Sequence, residues 1–483
     1  MRILFVTSTP FLMEPLGAMM LMALCKKEGH ETRLVVLGRH RLGQVAKSFR
    51  PDVIAYSAST GDMGSFKKAD EAVRRAFPPS SASVPFRVMG GPHPTFSPEV
   101  LHEMELDAIC QGDGDDALPE LLRRLETGQS VEGIANIQAR GAAEPPRRAL
   151  TQDLDRLPFP ARAAFYEAIP YYRSSGLRSF ITGRGCPYKC TYCFNHAFNR
   201  MFKECGPVLR RRSVDNVLEE IEQVRRDFPP LRLVRFADDT FAHQADDWTR
   251  EFADKYPRRI GVPFYCLMRS NTLTEETARL LARAGCQAIG MSIESGSEVL
   301  RNEVLHRGLT DNQVRNSFAL AEQFGIRTYA STMLGIPGGR IEDDFDSLDF
   351  VRRMGPTAPI FTICTPYHGT DIWRKCVERG YVDESAPDAG RIGEAGTLRC
   401  FTPQERAIQQ RACYLGPLYC TSPKWLAPAV MAAIRGPFPR VLARYAGFTY
   451  TACSTAIKIF PQAIPRNPMG LLRIGLDSVR HLL

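Results

Sequence analysis

Short apolar runs alternate with segments of helical periodicity over two long stretches of this 483-residue chain. The first stretch, residues 1–127, contains five such runs, including RILFVT and DVIAYS. The second, residues 177–365, contains six, including RLVRFA and QAIGMSI. Strands that are joined through helices pair in parallel, and the helices then cover both faces of the sheet. The sequence therefore predicts an α/β protein with two parallel sheets.

The same pattern predicts the domain organisation. Residues 1–127 are expected to form a doubly wound, Rossmann-like domain. Residues 128–176 are rich in Pro, Ala and Arg and are predicted to be a linker. The six βα units of residues 177–365 predict a partial (β/α)6 barrel, whose chemistry should lie at the carboxyl ends of its strands. Residues 366–483 are expected to form a mainly helical, basic C-terminal region.

Small and turn-forming residues follow several strands of the first predicted domain. In a doubly wound sheet, the carboxyl ends of the strands form the ligand-binding edge. The residues predicted to line a ligand there are Ser8, Thr9, Ser57, Ser59, Thr60, Gly90, Gly91, His93 and Gly112. The alternative is ordinary turn chemistry at the end of a sheet. No G-x-G-x-x-G follows the first strand, which argues against a dinucleotide ligand.

Three of the fourteen cysteines lie within eight residues, directly after the first strand of the predicted barrel. Cys186, Cys190 and Cys193 have the spacing C-x3-C-x2-C. One interpretation is a structural zinc site with His196 or Cys205 as the fourth ligand, although such sites usually combine two separated pairs. The other is an iron–sulfur cluster that three thiolates hold and that keeps one iron open. An open coordination position is typical of a catalytic metal, so the spacing favours the cluster.

This spacing, on a loop after the first strand of a six-unit barrel, resembles the radical S-adenosylmethionine (SAM) superfamily. RFADDTF, LMRSNTL, AGCQAIGMSIESGSEVLRNEV, MLGIPGG and TPYHGT follow in the order found in the subgroup with an N-terminal cobalamin-binding domain. PLGAMMLMALCKKEGHET, VMGGPHPTFSPEVL and DAICQGDGDDALPELL resemble segments of that domain. The resemblance covers roughly residues 1–372. It implies three cofactors: a [4Fe-4S] cluster, SAM and cobalamin.

The resemblance also assigns roles at the mouth of the barrel. Cys186, Cys190 and Cys193 would be the metal ligands and thereby take part in catalysis. The residues that would contact SAM are Tyr192, Asp238, Asp239, Arg269, Glu294, Gly335, Ile336 and Pro337. Two alternatives stay open: Tyr192 would simply pack beside the cluster, and Arg269 and Glu294 would form a salt bridge. Strand alternation does not fix which of the two aspartates points inward, because both lie past the strand end.

The cobalamin resemblance lacks one motif. Many cobalamin-binding domains carry D-x-H-x-x-G, whose His occupies the lower axial position of cobalt, and this motif is absent from the sequence. Its absence is usual in the subgroup, so the resemblance still implies cobalamin binding. His93 is not that ligand by motif. The lower position is left open between water, a side chain and no ligand.

The net charge of +9 is concentrated near the C-terminus. Residues 421–483 contain eight Lys or Arg and one acidic residue, so the rest of the chain is nearly neutral and a nucleic-acid partner is not expected. The tail is predicted either to cap the barrel or to make peripheral contact with an anionic membrane, although Pro437 and Pro439 interrupt any long helix. We expect a cytoplasmic location, because we find no secretion signal and no membrane-spanning run.

The favoured function is a cobalamin-dependent radical SAM C-methyltransferase that acts on an unactivated carbon. A radical SAM cyclase or rearrangement enzyme would use the same cofactors without methyl transfer. A non-enzymatic metal-binding scaffold is the third alternative, which Asp239, Arg269 and Glu294 disfavour because a structural cluster would not need them. The expected partners are a small-molecule substrate and an electron donor such as flavodoxin or ferredoxin. Membrane contact by the tail would fit a lipid-like substrate.

Overall fold

The computed structural model describes residues 1–8, 13–81, 83–383 and 396–463. The described chain divides into two compact units. The first consists of Met1–Ser174 and Phe198–Arg212, and the second of Ser175–Ala197 and residues 213–463. Each unit contains a six-stranded sheet, so each is an α/β body with its own core.

The sheet of the first unit alternates with helices along the chain. Its strands are β1 (Arg2–Thr7), β2 (Glu31–Val36), β3 (Val53–Ser57), β4 (Phe86–Gly90), β5 (Ala108–Cys110) and β6 (Ile137–Ala139). The helices of this part of the chain are α1 (Leu16–Lys27), α2 (Leu42–Phe49), α3 (Met63–Ala76), α4 (Pro92–Phe96), α5 (Val100–Glu103), α6 (Ala117–Glu126), α7 (Arg162–Ala168) and α8 (Pro170–Ser174). β1 to β5 are parallel, and β6 pairs with β5 in the antiparallel direction.

The strand order β2-β1-β3-β4-β5-β6 places the change of winding direction between β1 and β3. At such a point the connections leave in opposite directions, and a crevice opens at the carboxyl ends of the two strands. β1 and β3 pair as far as Thr7↔Ser57, so the segments that begin at Ser8 and Ala58 both leave from this crevice.

The second unit is built on six parallel strands in the order β7-β10-β11-β12-β13-β14. The strands after β6 are β7 (Leu177–Phe180), β8 (Gly183–Arg184), β9 (Arg210–Arg211, in the first unit), β10 (Leu233–Phe236), β11 (Phe264–Met268), β12 (Cys286–Glu294), β13 (Arg327–Leu334) and β14 (Ala358–Ile363). The helices are α9 (Phe194–Met201, divided between the units), α10 (Val214–Asp227), α11 (Asp247–Arg259), α12 (Glu275–Ala284), α13 (Asp311–Gln323), α14 (Ile341–Met354) and α15 (Asp371–Glu378). The sheet has β7 and β14 as its edges, which makes the barrel a partial one.

Three C-terminal helices complete the second unit, and one of them covers an edge of the barrel. They are α16 (Pro403–Thr421), α17 (Ala427–Arg435) and α18 (Arg440–Lys458). α16 packs along β14, where the Cys413 thiol donates to the Phe361 carbonyl over 3.0 Å. α18 packs on α16 at Gly447, where a Cβ would lie 2.2 Å from the Tyr414 carbonyl oxygen. This close approach requires glycine.

The predicted fold class is confirmed: a doubly wound N-terminal sheet, a partial (β/α)6 barrel and a helical C-terminal region. β6 lies inside the segment predicted to be a linker, and its three residues are too few to show a strand period. The domain boundaries at residues 127, 176 and 365 stay predictions. Within the described ranges, no helix is long and apolar enough to cross a membrane.

Candidate active site

The three cysteines lie on the loop between β8 and α9, just past the carboxyl end of the first barrel strand. Cys190 is buried, and Cys186 and Cys193 are partly buried. Burial raises the pKa of the Cys186 thiol, and it raises that of Cys193 to about 12. Such thiols lose their protons on binding a metal, because the thiolate is the ligand. The three candidate ligands of this motif are all thiols, and such a set fits an iron–sulfur cluster.

Backbone contacts fix this loop. The Thr191 N–H donates to the Leu305 carbonyl over 3.1 Å, and the Thr191 carbonyl accepts from the Ile372 N–H over 3.0 Å. The Cys193 N–H donates to the Cys190 carbonyl over 3.1 Å, which closes a turn between the last two cysteines. The thiol-bearing segment is therefore anchored to two later parts of the barrel.

Two guanidinium groups contact Cys190. Arg269 Nη1 and Arg307 Nη1 each lie 3.6 Å from its Sγ. The Arg269 guanidinium carbon also lies 3.9 Å from the centroid of the Tyr188 ring, and Arg269 Nε donates to Asn271 Oδ1 over 2.8 Å. Burial, together with the Arg307 charge, lowers the pKa of Arg269. The Arg269 guanidinium therefore lies against the cysteine loop.

Tyr192 and Glu294, both predicted as SAM contacts, meet in the structure. The Tyr192 hydroxyl donates to Glu294 Oε1 over 2.8 Å and accepts from Arg307 Nη1 over 3.2 Å. Burial and the neighbouring Glu294 carboxylate raise the pKa of Tyr192 well above its ordinary value of 10.0. Glu294 ends β12 with a φ of +66°, beside a register shift in the pairing with β13. A non-glycine residue in this conformation stores strain, which is often found at functional sites.

The structure distinguishes Asp238 from Asp239. Asp238 is buried, and its Oδ1 accepts from the N–H groups of Thr182 (2.9 Å) and Gly183 (2.7 Å). It thereby ties the end of β10 to the end of β7. Asp239 is exposed at the barrel mouth. Partial desolvation of its carboxyl raises its pKa, and a hydrogen bond from the Asn195 side chain opposes this shift. Asp239 is the accessible carboxylate of the two.

The loop of Gly335, Ile336 and Pro337 is held from behind by Asp344. The Gly335 N–H donates to Asp344 Oδ1 over 2.8 Å, and Gln409 Nε2 donates to Oδ2 over 2.9 Å. Burial raises the pKa of Asp344 to about 7. Gly335 has a φ of +69°, and a Cβ there would lie 3.0 Å from Gln409 Oε1, so the position requires glycine.

The first unit brings its predicted ligand-lining residues to the carboxyl edge of its sheet. Asp62 links the residues that follow β1 and β3, because its carboxylate accepts from Ser8 Oγ over 2.6 Å and from Ser59 Oγ over 2.9 Å. His93 is buried, and its Nδ1 lies 3.2 Å from Thr60 Oγ1. Thr9 lies outside the described residues.

Glycines bring backbone segments close together at the same edge. Gly91 has a φ of +100°, and a Cβ there would lie 2.7 Å from the Ala58 carbonyl oxygen. Gly112 has a φ of +89°, and its N–H donates to the Thr95 hydroxyl over 3.1 Å. Ser57 and Gly90 end β3 and β4 and are paired with each other. The edge therefore presents backbone and hydroxyl groups.

Sequence reasoning missed several residues that position these side chains: Asp62, Asn195, Arg307, Asp344 and Gln409. Asn195 follows the last motif cysteine by two positions, and that nearness was the one available signal. Arg307 follows a π-helical segment, Leu300–Val304, whose geometry has no sequence period. Asp62 also contacts Ser8, 54 residues away, and Asp344 and Gln409 contact each other across 65 residues, so these contacts leave no local signal.

Two family models match the chain: the radical SAM superfamily over residues 180–351 and the B12 binding domain over residues 2–122. The chain therefore contains a radical SAM domain and a B12-binding domain. These are the two domains of the radical SAM subgroup with an N-terminal cobalamin-binding domain, and the cofactors are a [4Fe-4S] cluster, SAM and cobalamin. It is accordingly an enzyme.

Relatives of this radical SAM protein are found among both sequences and solved structures. An uncharacterized methyltransferase of Pyrococcus horikoshii is 27% identical over 381 residues, which are 75% of this chain and 78% of the relative. An anaerobic magnesium-protoporphyrin IX monomethyl ester cyclase of Rubrivivax gelatinosus is 24% identical over 358 residues, 70% of this chain and 61% of the relative. The radical SAM methyltransferase TsrM from Kitasatospora setae, solved with tryptophan substrate and a SAM analogue, is 18% identical with a TM-score of 0.65. That match covers 83% of this chain and 81% of TsrM, and it shows a shared fold.

The radical SAM domain at residues 180–351, which includes the three cysteines, replaces the zinc and scaffold alternatives. His196, one of the two fourth zinc ligands considered, pairs through Nε2 with Asp371 Oδ2 at 3.1 Å. In the part of the chain that the structure describes, no three or more His, Cys, Asp or Glu side chains are placed to ligate one metal ion. A four-iron cluster presents separate irons to its thiolates, so the sulfurs of Cys186, Cys190 and Cys193 need not converge on one point.

Proposed function

We propose that this protein is a cobalamin-dependent radical SAM C-methyltransferase that acts on an unactivated carbon of a small molecule. The observation that carries the proposal is the three-cysteine loop at the mouth of a parallel barrel, in a chain that also has a B12-binding domain. Two of the three relatives described above are named methyltransferases, which supports methyl transfer.

The side chains at the barrel mouth support specific roles. Cys186, Cys190 and Cys193 would hold the cluster through their thiolates. When bound, the cofactors supply a 5′-deoxyadenosyl radical and a methyl group. Asp239 is accessible and would accept a hydrogen bond from the SAM ammonium group. Glu294 would accept from the ribose hydroxyls or the same ammonium.

Tyr192 and the backbone of residues 335–337 would complete the SAM site. The hydrogen bond of 2.8 Å to Glu294 holds the Tyr192 ring in one orientation, which suits stacking against adenine. Asp238 has its Oδ1 engaged by β7, so we assign it a structural part in the site. Arg269 would contact the SAM carboxylate from its position beside Cys190. The buried side chains of Arg269 and Glu294 would help to exclude water from a reactive radical.

In the first unit, the carboxyl edge of the sheet would hold cobalamin. The described residues proposed to line it are Ser8, Ser57, Ser59, Thr60, Gly90, Gly91, His93 and Gly112. The crevice between β1 and β3 supports this placement, because ligands of doubly wound sheets bind there. His93 contacts the Thr60 hydroxyl, which supports a hydrogen-bonding role at this edge.

Partners and location extend the proposal. The substrate would be a small molecule, including a lipid-like one, and the electron donor a protein such as flavodoxin or ferredoxin. We place the enzyme in the cytoplasm, with the C-terminal region in peripheral contact with the inner membrane surface. The relative named as a cyclase supports a second candidate, radical cyclisation with the same cofactors and no methyl transfer.

The test begins with anaerobic purification and loading of the full chain with iron, sulfide and hydroxocobalamin. The loaded protein is incubated with dithionite, SAM carrying a deuterated methyl group, and a small-molecule extract. Bound corrinoid, formation of both 5′-deoxyadenosine and S-adenosylhomocysteine, and a deuterated methyl in a product are the expected results. 5′-Deoxyadenosine with no S-adenosylhomocysteine would favour cyclisation, and a wild-type protein that binds zinc and no iron would contradict both candidates.

A further inference from the structure

Cys190 differs from the other two motif cysteines in its surroundings. It is 6% exposed, and the guanidinium groups of Arg269 and Arg307 both lie at 3.6 Å from its sulfur. We propose that Arg269 and Arg307 are positioning residues that hold the Cys190 thiolate and raise the reduction potential of the cluster. This inference rests on the cluster-binding role of Cys190 in the proposed function.

Both arginines are fixed by other contacts, so their approach to sulfur is built into the fold. Arg307 is 8% exposed, and its Nη2 donates to the Ser292 carbonyl over 2.9 Å while its Nη1 also reaches the Tyr192 hydroxyl. Arg269 is 5% exposed and is held between the Tyr188 ring and Asn271, as described above. Arg269 directly follows β11, and Arg307 lies between β12 and α13. The two side chains therefore come from the segments after two neighbouring strands, which makes their convergence a tertiary feature.

The positive charges of Arg269 and Arg307 indicate that the Cys190 sulfur is bound as a thiolate. Guanidinium groups stay protonated under all ordinary conditions, so two positive charges are buried around one sulfur. Two buried cations beside a neutral thiol would be costly, because buried charges require compensation. The Glu294 carboxylate supplies one negative charge, which acts on Arg307. A cluster-bound thiolate supplies a second one, and N–H···S hydrogen bonds to it are of the charge-assisted kind.

The same charges affect the gain of an electron. Reduction adds one negative charge to the cluster, and the electron comes from an external reductant. Positive charge and hydrogen bonds at the cluster sulfurs are among the factors that set cluster potentials. Two guanidinium groups at Cys190 therefore favour the reduced state, and removing either one should make the cluster harder to reduce.

The experiment measures the midpoint potential of the loaded full chain by an anaerobic titration followed by electron paramagnetic resonance. Arg307→Gln and Arg269→Gln are each expected to lower the ratio of reduced to oxidised cluster about tenfold at a fixed potential, which is 59 mV for a one-electron couple. Arg301→Gln is the matched control. Arg301 is fully buried a few residues before Arg307, but its guanidinium donates to the Ser295 and Leu309 carbonyls and to Asp311. Its substitution should leave the midpoint unchanged.

Each outcome decides the proposal. An unchanged midpoint in both Arg269→Gln and Arg307→Gln, with four irons bound, overturns it, and so does an equal shift in Arg301→Gln. If a Gln variant fails to retain iron, the Lys variant of the same arginine decides, because it keeps the charge and loses the planar donor group. That variant should show a smaller shift in the same direction. A midpoint that stays unchanged in the Lys variant would overturn the proposal. A wild-type chain that takes up no iron rejects the proposed function itself.

Discussion

Replacing Asp344 with asparagine should remove a pH-dependent loss of stability from the second unit. Asp344 is 5% exposed and accepts from the Gly335 N–H and from Gln409 Nε2. An asparagine can accept from Gly335 through Oδ1 and donate through Nδ2 to Gln409 Oε1, once the Gln409 amide turns over. The substitution therefore keeps the local geometry and removes the titrating group.

The size of the effect follows from the pKa of Asp344, which burial raises to about 7 from an ordinary value of 3.8. The folded protein binds this proton more tightly than the unfolded chain does. The free energy of unfolding therefore falls as the pH rises from about 4 to about 7, and this contribution is constant above that range. A difference of about three pKa units corresponds to about 4 kcal/mol at 25 °C.

Urea unfolding of the full chain at several pH values tests this prediction. The three tryptophans, Trp248, Trp373 and Trp425, all belong to the second unit, so their fluorescence reports its unfolding. Between about pH 4.5 and about pH 8.5, the Asn variant should gain about 3 kcal/mol relative to wild type. Asp346→Asn, at an exposed position on the same helix, is the control. A wild-type-to-variant difference that does not change with pH refutes the reasoning.

Three further predictions concern the cofactors and the tail. Cys190→Ser should abolish iron retention after loading, whereas Cys453→Ser, at an exposed cysteine, should retain wild-type iron; equal iron in both would contradict the cluster assignment. Gly91→Ala should lose bound corrinoid, measured by its absorption spectrum, because the new Cβ would lie 2.7 Å from a backbone oxygen; Gly61→Ala, with no heavy atom within 4 Å, should keep it. α18 carries exposed apolar side chains, and residues 406–463 include no acidic residue. The wild type should therefore sediment with anionic vesicles and Leu442→Asp should not; wild type left in the supernatant would contradict membrane contact.

The regular parts of the fold could be predicted because their signals are local. Apolar runs with helices between them predict parallel sheets wherever they occur, and both sheets formed as expected. The cysteine spacing likewise selected a loop that the structure places just past the first barrel strand, since three thiols in eight residues are visible without any tertiary information. Tyr192 and Glu294 were assigned to one site from the family resemblance, and the structure joins them by a hydrogen bond of 2.8 Å.

The supporting contacts could not be predicted, because they depend on how distant segments pack. Arg307 and Cys190 are 117 residues apart, and Gln409 and Asp344 are 65 residues apart. Nothing in the sequence near Arg307 distinguishes it from any other arginine after a helix. The choice between Asp238 and Asp239 likewise needed the structure, since the contacts with the Thr182 and Gly183 N–H groups show that the buried Asp238 carboxylate is held by the segment after β7.

The position of α16 along β14 limits how this protein can be divided into fragments. A strand at the edge of a sheet has unpaired N–H and C=O groups that recruit strands from neighbouring molecules. A fragment that ends before Pro403 would uncover Ala358–Ile363, and one cut at residue 351, where the superfamily match ends, would lose β14 and uncover β13 instead. Both fragments should self-associate through strand pairing. The catalytic barrel of this protein is therefore expected to stay monodisperse only when it keeps its C-terminal helices.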